Sequence, residues 1–357
     1  MTKIIIRVSQ DHEELAKKEF EALTETWPKN KIEKGHYQIN IENKTENRIR
    51  QNAKNLALTK SIWKTLSSLK LKNSDLENRE KIEQAIREKT DNIKFSEIIK
   101  EKYAVRIKKI KTEFTKKIDT NPILKEAASV IYNIVSKKGK SVSIDNSDTN
   151  IVILYIMGKN ETEIIITEEI FSINEKFHLR RPDKRPCLKP ISLSPRIARV
   201  CINLLNLKKT KIKTIIDPCC GTGGFLIEAG MMGYEPTGMD IMPEMIQCTK
   251  KNLNFFKISG YELLLGDLTK TDPEKEYDGL ITDLPYGKNT KSEKNIEESY
   301  QNFIKGMKKY SKNIVIITPS FIDINKIIEK NNLELKYQYK IKVHNTLNRI
   351  LSVIWQE

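Results

Sequence analysis

The chain has 357 residues, enough for two or three domains, and a net charge of +16. It contains neither an apolar run of transmembrane length nor a signal-peptide pattern at Met1. Its five cysteines and four histidines show no metal-ligand spacing. The composition therefore argues against membrane, disulfide-rich secreted and zinc proteins, and predicts a reduced, cytoplasmic chain that binds no metal.

The positive charge is concentrated in the first half of the chain. Residues 1–190 hold 39 Lys and Arg against 28 Asp and Glu, a net of +11, whereas residues 191–357 hold 24 against 19, a net of +5. Such an excess favours a polyanionic partner. A lysine-rich surface that serves only solubility would give the same totals, so composition leaves both interpretations open.

The first predicted module is a β-α-β-α-β unit over residues 1–72. Strands are predicted at 3–9, 37–42 and 61–69. One helix is expected from the N-cap candidate Asp11 to about Thr26, and another from about 46 to 59. This order is typical of a ferredoxin-like domain.

A second α+β module is expected over residues 73–168. After a polar helix at 76–90, it combines a strand at 103–110, a helix from Pro122 through Ile134, and strands at 141–148, 150–157 and 163–167. The strand at 103–110, the helix and the segment ending in Asp145-Asn-Ser-Asp148 resemble a THUMP domain, an RNA-binding module of tRNA-modifying enzymes. The resemblance implies phosphate contacts by basic residues, although a solvated surface is the alternative for each one. The candidates are Arg106, Lys108, Lys109 and Lys111.

A basic linker is predicted over residues 169–192. Its segment 180–190 holds three prolines and five basic residues, which disfavours a regular helix or strand. Further candidates for RNA contact lie here: Arg180, Arg181, Arg185 and Lys189.

The remaining chain, 193–357, alternates strands and helices. A helix is expected from Pro195 to Asn206, and strands near 213–217, 235–240, 261–266, 278–283 and 313–318 predict a parallel, doubly wound sheet. The last two strands, 333–343 and 349–355, are joined by about five residues, too few for a crossover helix. They must form an antiparallel hairpin, and the fold class is α/β.

A glycine-rich turn, Gly221-Thr-Gly-Gly224, follows the strand that ends at Asp217 and precedes a helix. Glycines permit a tight turn and let a ligand approach the backbone. A plain strand-to-helix connection is the alternative. The spacing is neither that of the dinucleotide fingerprint nor that of a P-loop. Three later strands also end in acids: Asp240, Asp267 and Asp283.

This order of motifs, with Asp283-Leu-Pro-Tyr286 in the place of Asn/Asp-Pro-Pro-Tyr/Phe, resembles class I S-adenosylmethionine-dependent methyltransferases that act on exocyclic amines. Segments 52–62 and 180–199 further resemble tRNA guanine-N2 methyltransferases with a THUMP domain, in particular the archaeal enzymes of guanosine 10. The resemblance implies that S-adenosylmethionine is the cofactor and tRNA the partner. It also implies cofactor contacts from Asp217, Cys219, Gly221, Thr222, Gly223, Gly224, Asp240, Ile241, Gly266, Asp267, Leu268, Leu193 and Ser194.

The same resemblance implies the catalytic residues. Asp283 and the Leu284 carbonyl would accept the amine hydrogens, Pro285 would stiffen the turn, and Tyr286 would stack on an extruded base. Lys288 is a further candidate for RNA contact. For each residue, a purely structural role at a strand end or in a turn is the alternative.

Several alternatives stay open at this point. Leu284 stands where enzymes of guanosine 10 usually have proline, and a Leu or Met there resembles enzymes of guanosine 6. A non-catalytic tRNA-binding protein, an adenine-N6 DNA methyltransferase and a nicotinamide dehydrogenase are also considered. The three acids at strand ends disfavour a non-catalytic protein, and the basic first half disfavours a DNA methyltransferase. The terminal hairpin disfavours a dehydrogenase. The sequence does not decide between one methyl group and two, or between a monomer and a chain with an accessory subunit.

Overall fold

The computed structural model describes residues 1–27, 30–116, 119–189, 193–206, 213–272, 274–284, 293–342 and 348–356. The chain forms two compact units. The first holds residues 1–173, apart from Glu21–Leu23 and Asn55–Leu58, which group with residues 174–357 in the second. Among the described helices, none is long and apolar enough to cross a membrane.

An eight-stranded sheet forms the first unit. Its order is β2-β3-β1-β4-β8-β7-β5-β6, antiparallel except where β5 pairs with β6 and β7. The strands are β1 (Thr2–Val8), β2 (Asn30–Glu33), β3 (His36–Ile41), β4 (Thr59–Lys72), β5 (Lys102–Ile110), β6 (Ser141–Val142), β7 (Thr149–Met157) and β8 (Glu161–Ser172). Because β4 pairs with both β1 and β8, the sheet continues across residue 72. The division into two modules at that position stays a prediction.

In the described part of this unit, five α-helices accompany the sheet. They are α1 (Glu13–Thr24), α2 (Asn43–Asn52), α3 (Arg79–Thr90), α4 (Phe95–Ile98) and α5 (Asn121–Val135). Helix α5 carries proline in its first turn, where the missing N–H costs nothing. Its apolar side chains Ile123, Ala127, Ile131 and Val135 recur at helical spacing and are buried.

The expected strand at 141–148 is wrong beyond Val142. Residues 143–148 form a connection, because Asp148 Oδ2 accepts the backbone N–H groups of Glu101 (3.1 Å) and Lys102 (3.0 Å). A side chain that caps the start of β5 in this way replaces the ladder of a strand.

The second unit holds a seven-stranded sheet of order β11-β10-β9-β12-β13-β15-β14. Strands β9 to β13 run parallel, and β15 pairs antiparallel with both β13 and β14. The predicted parallel sheet closed by a hairpin is therefore confirmed. The strands are β9 (Thr214–Asp217), β10 (Glu235–Asp240), β11 (Glu262–Leu265), β12 (Gly279–Asp283), β13 (Asn313–Pro319), β14 (Glu334–Lys342) and β15 (Asn348–Trp355).

The helices of this unit are α6 (Pro195–Leu204), α7 (Gly224–Met231), α8 (Pro243–Phe255), α9 (Glu293–Met307) and α10 (Ile324–Lys330). The central parallel strands carry apolar residues that are buried because helices cover the sheet, and Ile216, Leu280 and Ile316 are fully buried. The carboxyl ends of β9, β10 and β12 consequently open at one edge, where ligands bind in sheets of this kind.

Part of the predicted linker has regular structure, while its bounds at 169–192 stay a prediction. Residues 169–172 belong to β8, and the basic segment forms two single-turn 3-10 helices, Phe177–Arg180 and Pro182–Lys184. Prolines exclude a long helix but permit single turns.

Candidate active site

Three carboxylates meet where neighbouring strands end. Asp217 closes β9, Asp240 closes β10 and Asp283 closes β12. These strands are adjacent in the sheet, and Asp217 lies close enough to the other two for their charges to raise its pKa. The structure thus brings together three acids that are spread over 66 positions of the chain, from Asp217 to Asp283.

The glycine-rich turn is held by side chains of α8. Gly221 and Gly223 have φ of +51° and +78°, a region that favours glycine. Thr249 Oγ1 donates to the Gly221 carbonyl (2.7 Å), and Asn252 Nδ2 donates to the Thr222 carbonyl (2.9 Å). The turn is therefore preset before any ligand binds.

Asp240 is oriented by the backbone. Its Oδ2 accepts the N–H of Gly221 (2.9 Å) and its Oδ1 accepts the N–H of Met242 (3.0 Å). A carboxylate has about four acceptor positions, so both oxygens can still accept a ribose hydroxyl. The neighbouring Ile241 is exposed.

The carboxyl group of Asp217 is buried and hydrogen-bonded within the protein. It is 2% exposed, and its Oδ1 accepts hydrogen bonds from Thr282 Oγ1 (2.8 Å) and the Cys219 N–H (3.2 Å). Burial raises its pKa to about 8, with the Asp240 and Asp283 charges adding to the effect. These bonds tie the ends of β9 and β12 together, and a contact with the methionine part of the cofactor stays a prediction.

Asp267 lies just beyond β11. Its Oδ1 accepts from the Thr269 backbone N–H (2.9 Å) and hydroxyl (2.7 Å). Burial alone would raise the pKa of Asp267, but these bonds and the charge of Lys270 outweigh it, so the pKa lies below its ordinary value. This acid is held ionised as an acceptor.

The remaining cofactor candidates differ in how far their side chains are exposed to solvent. Burial raises the pKa of the Cys219 and Cys220 thiols, which suits packing residues and not nucleophiles. Leu268 is 2% exposed in the core, so only its backbone could face a ligand. Ser194 is exposed and caps α6 by accepting the Ile197 N–H (3.3 Å). The other candidates, Leu193 and Gly266, lie beside α6 and after β11.

Asp283 forms an ion pair that the sequence did not indicate. Arg349 of β15, 3% exposed, donates from Nη1 to Asp283 Oδ2 (2.8 Å). Asp283 Oδ1 has no hydrogen-bond partner among the described residues. Burial raises the Asp283 pKa to about 6, against the opposing charge of Arg349. One oxygen is thus anchored while the other can accept an amine hydrogen.

The next residue, Leu284, is fully buried, and its N–H donates to the Ile317 carbonyl (2.9 Å). This bond fixes the peptide next to Asp283. The expected roles of Pro285, Tyr286 and Lys288 fall on residues outside the described ranges.

The RNA candidates of the first unit lie on or just after β5. Lys109 and Lys111 are exposed. Lys108 pairs with Glu169 (3.3 Å), and Arg106 donates to the Ile144 carbonyl (2.6 Å). These two side chains therefore already have internal partners.

The basic residues that are RNA candidates in the linker divide into two kinds. Arg181 and Lys189 are exposed, as an RNA contact requires. Arg180 and Arg185 are each 6% exposed, and Arg180 pairs with buried Glu228 (2.6 Å). The expectation that these two contact RNA is wrong, because their guanidinium groups turn into the second unit. Sequence cannot show this direction, since Glu228 is 48 residues away.

A disulfide also departs from expectation. Cys187 and Cys248 are joined, with their Cα atoms 5.4 Å apart, whereas all five cysteines were expected to be reduced. Asn252 adds two bonds to the same residue, accepting the Cys187 N–H (2.9 Å) and donating to its carbonyl (3.0 Å). The linker is therefore fastened to α8.

Comparison with known proteins agrees with this geometry. Residues 182–349 match the family model described as RMKL-like, methyltransferase domain. The chain is 30% identical over 270 residues to the tRNA (guanine(10)-N2)-dimethyltransferase of Methanothermobacter thermautotrophicus, covering 74% of this chain and 76% of the relative. It is 31% identical over 266 residues to the Pyrococcus abyssi protein of the same name, covering 73% and 76%.

Two further similarities are weaker. The tRNA (guanine(6)-N2)-methyltransferase of Methanocaldococcus jannaschii is 24% identical over 308 residues, covering 72% of this chain and 78% of the relative. The structure of TrmN from Thermus thermophilus aligns over the whole of both chains with a TM-score of 0.47 at 13% identity, too low to inform on function. From the first two relatives, this chain belongs to the family of the archaeal tRNA (guanine(10)-N2)-dimethyltransferases.

Proposed function

We propose that this chain methylates the exocyclic N2 amine of guanosine in tRNA, at position 10. The observation that carries the chemistry is the Asp283 carboxylate, with one oxygen held by Arg349 and the other without a partner among the described residues. Position 10 is favoured over 6 because the relatives named for guanosine 10 are 30–31% identical and the relative named for guanosine 6 is 24% identical.

S-adenosylmethionine supplies an electrophilic methyl group on a sulfonium, which needs no metal. We assign the ribose hydroxyls to Asp240, the adenine amino group to Asp267 and the methionine part to the turn at Gly221–Gly224. The residues fit this assignment: Asp240 has acceptor positions to spare, Asp267 is held ionised, and the turn is preset by Thr249 and Asn252.

The N2 amine is a poor nucleophile because its lone pair is delocalised into the guanine ring. Asp283 Oδ1 and the Leu284 carbonyl would each accept one of its hydrogens, which orients the nitrogen and favours the positive charge that develops as it is methylated. Asp283 would then accept the departing proton, directly or through water. Arg349 keeps the carboxylate charged for this role.

Transcripts of tRNA test this function. The purified chain is incubated with S-adenosylmethionine and a transcript, and the nucleosides are analysed by mass spectrometry. N2-methylguanosine or N2,N2-dimethylguanosine is expected, and it should disappear when guanosine 10 is replaced by adenosine. Equal methylation of the adenosine-10 transcript would instead indicate guanosine 6, and a methylated base other than guanine would contradict the proposal.

A further inference from the structure

A buried cluster of charges in the second unit has one more guanidinium than carboxylates. Glu228, fully buried, pairs with Arg180 Nε (2.6 Å) and Arg199 Nη2 (2.9 Å), and Arg180 also pairs with Glu175 (2.6 Å). The third guanidinium is that of Arg185. Among the described residues, the cluster has two carboxylates against three guanidinium groups and so keeps one positive charge in excess.

Arg185 carries that charge. It is 6% exposed, and its Nε donates to the Arg180 carbonyl (3.1 Å). Its Nη1 has no hydrogen-bond partner among the described residues. Among the described residues no carboxylate forms an ion pair with Arg185, and the nearby Glu228 already pairs with Arg180 and Arg199. Burial of such a cation is costly, so its position in a folded protein points to a ligand that completes it.

The free end of Arg185 faces the start of α7. A Cβ atom placed on Gly224, the first residue of that helix, would lie 3.4 Å from Nη1 and 3.9 Å from Nη2. The first N–H groups of a helix have no partner within it and carry partial positive charge. Two kinds of donor, the guanidinium and the helix N-terminus, therefore converge beside the glycine-rich turn, an arrangement that binds an anion.

The backbone around Arg185 is fixed in this place. Two residues further on, Cys187 is joined to Cys248 by a disulfide, and its N–H donates to Asn252 Oδ1 (2.9 Å). Asn252 in turn donates to the Thr222 carbonyl in the turn (2.9 Å). Arg185 is thus fastened to the same helix that holds the turn, so its position is set before a ligand arrives.

We propose that Arg185 binds the carboxylate of the methionine moiety of S-adenosylmethionine. The inference rests on the cofactor use stated above. The carboxylate is the only anionic group of that cofactor, whose sulfonium and ammonium are cationic, and a guanidinium binds a carboxylate with two parallel hydrogen bonds. Ligand binding then neutralises the charge left over in the cluster.

Decarboxylated S-adenosylmethionine is the probe that isolates this contact, since it lacks only the carboxylate. Calorimetric titration of the full chain should show about 10- to 100-fold tighter binding of S-adenosylmethionine than of the decarboxylated form. In Arg185→Gln this preference should collapse to a few-fold or less, while affinity for the decarboxylated form stays close to that of the wild type. Arg185→Lys keeps the charge but loses the two-pronged geometry, and should show an intermediate preference.

Arg181→Gln is the matched control, because Arg181 lies on the same segment with an exposed side chain. It should keep the wild-type preference. The proposal is overturned if Arg185→Gln or, should that variant not fold, Arg185→Lys keeps the full preference as well. A merely structural arginine would weaken both ligands equally. If the wild type shows the preference but methylates no tRNA, the proposed function fails and the assignment of Arg185 stands.

Discussion

At the scale of single residues, burial gives the clustered acids different tasks. Asp217 has a pKa of about 8 and is largely protonated at neutral pH, where it joins two strand ends. Asp283 has a pKa of about 6, so it is charged at neutral pH but binds a proton readily. A group with a pKa near the working pH is suited to accept a proton from a substrate.

Burial raises the pKa of Asp283, and Arg349 limits that rise. Its positive charge lowers the Asp283 pKa against the effect of burial, so Arg349→Met should raise it. The single-turnover rate of methylation requires ionised Asp283, and it should therefore fall as pH drops through about 6 in the wild type and through a higher pH in the variant. Rates measured from pH 5 to 9 check this shift.

Lys340→Met is the control for this substitution, since it removes an exposed charge from the same hairpin, at the position paired with Ile350. Its pH profile should match that of the wild type. An Arg349→Met profile with an unmoved acidic limb would mean that Arg349 is only a packing residue of β15.

At the scale of elements, the strand ends and the hairpin could be predicted because local patterns determine them. A short apolar run that ends in Asp283 is typical of a buried parallel strand, and the short connection before β15 forces an antiparallel pair. The sequence could not predict the Asp283–Arg349 ion pair, the inward-facing side chains of Arg180 and Arg185, or the disulfide. Each depends on which distant segments pack together, and no local spacing encodes that.

The disulfide should stabilise the second unit measurably. It closes a segment with a sequence separation of 61 residues, for which the chain-entropy model gives about 4 kcal/mol. Reductant should therefore lower the midpoint of guanidinium denaturation and weaken S-adenosylmethionine binding, because Cys187 fastens the linker to α8. In Cys187→Ser/Cys248→Ser, reductant should change neither quantity. If reductant affects both proteins alike, or neither, this account of the disulfide fails.

At the scale of the whole molecule, the positive charge is distributed unevenly between the two halves of the chain. The net charge of +11 in residues 1–190 predicts that this part supplies most of the phosphate contacts. Exposed lysines on and after β5 are the leading candidates.

Lys111 and Lys116 are both exposed in the segment after β5. Lys111→Gln/Lys116→Gln should therefore weaken tRNA binding and reduce the slope of log affinity against log salt by up to about two, since each lysine that neutralises a phosphate adds about one to that slope. The matched variant is Lys250→Gln/Lys251→Gln, which removes two exposed charges from α8. Filter-binding titrations between low and moderate salt measure both slopes. Equal slopes in the two variants would show that the first half does not dominate RNA binding.

The central claim is that Asp283 accepts the amine hydrogen in the transition state, and single-turnover methylation of a tRNA transcript by Asp283 variants tests it most directly. Asp283→Ala should lower the rate by about 10²–10³ with little change in tRNA or cofactor affinity, because the variant lacks one preorganised acceptor. Asp283→Asn keeps one acceptor oxygen and should retain part of the activity. Methylation by Asp283→Ala at the wild-type rate would contradict the account and reduce Asp283 to a structural residue at the end of β12.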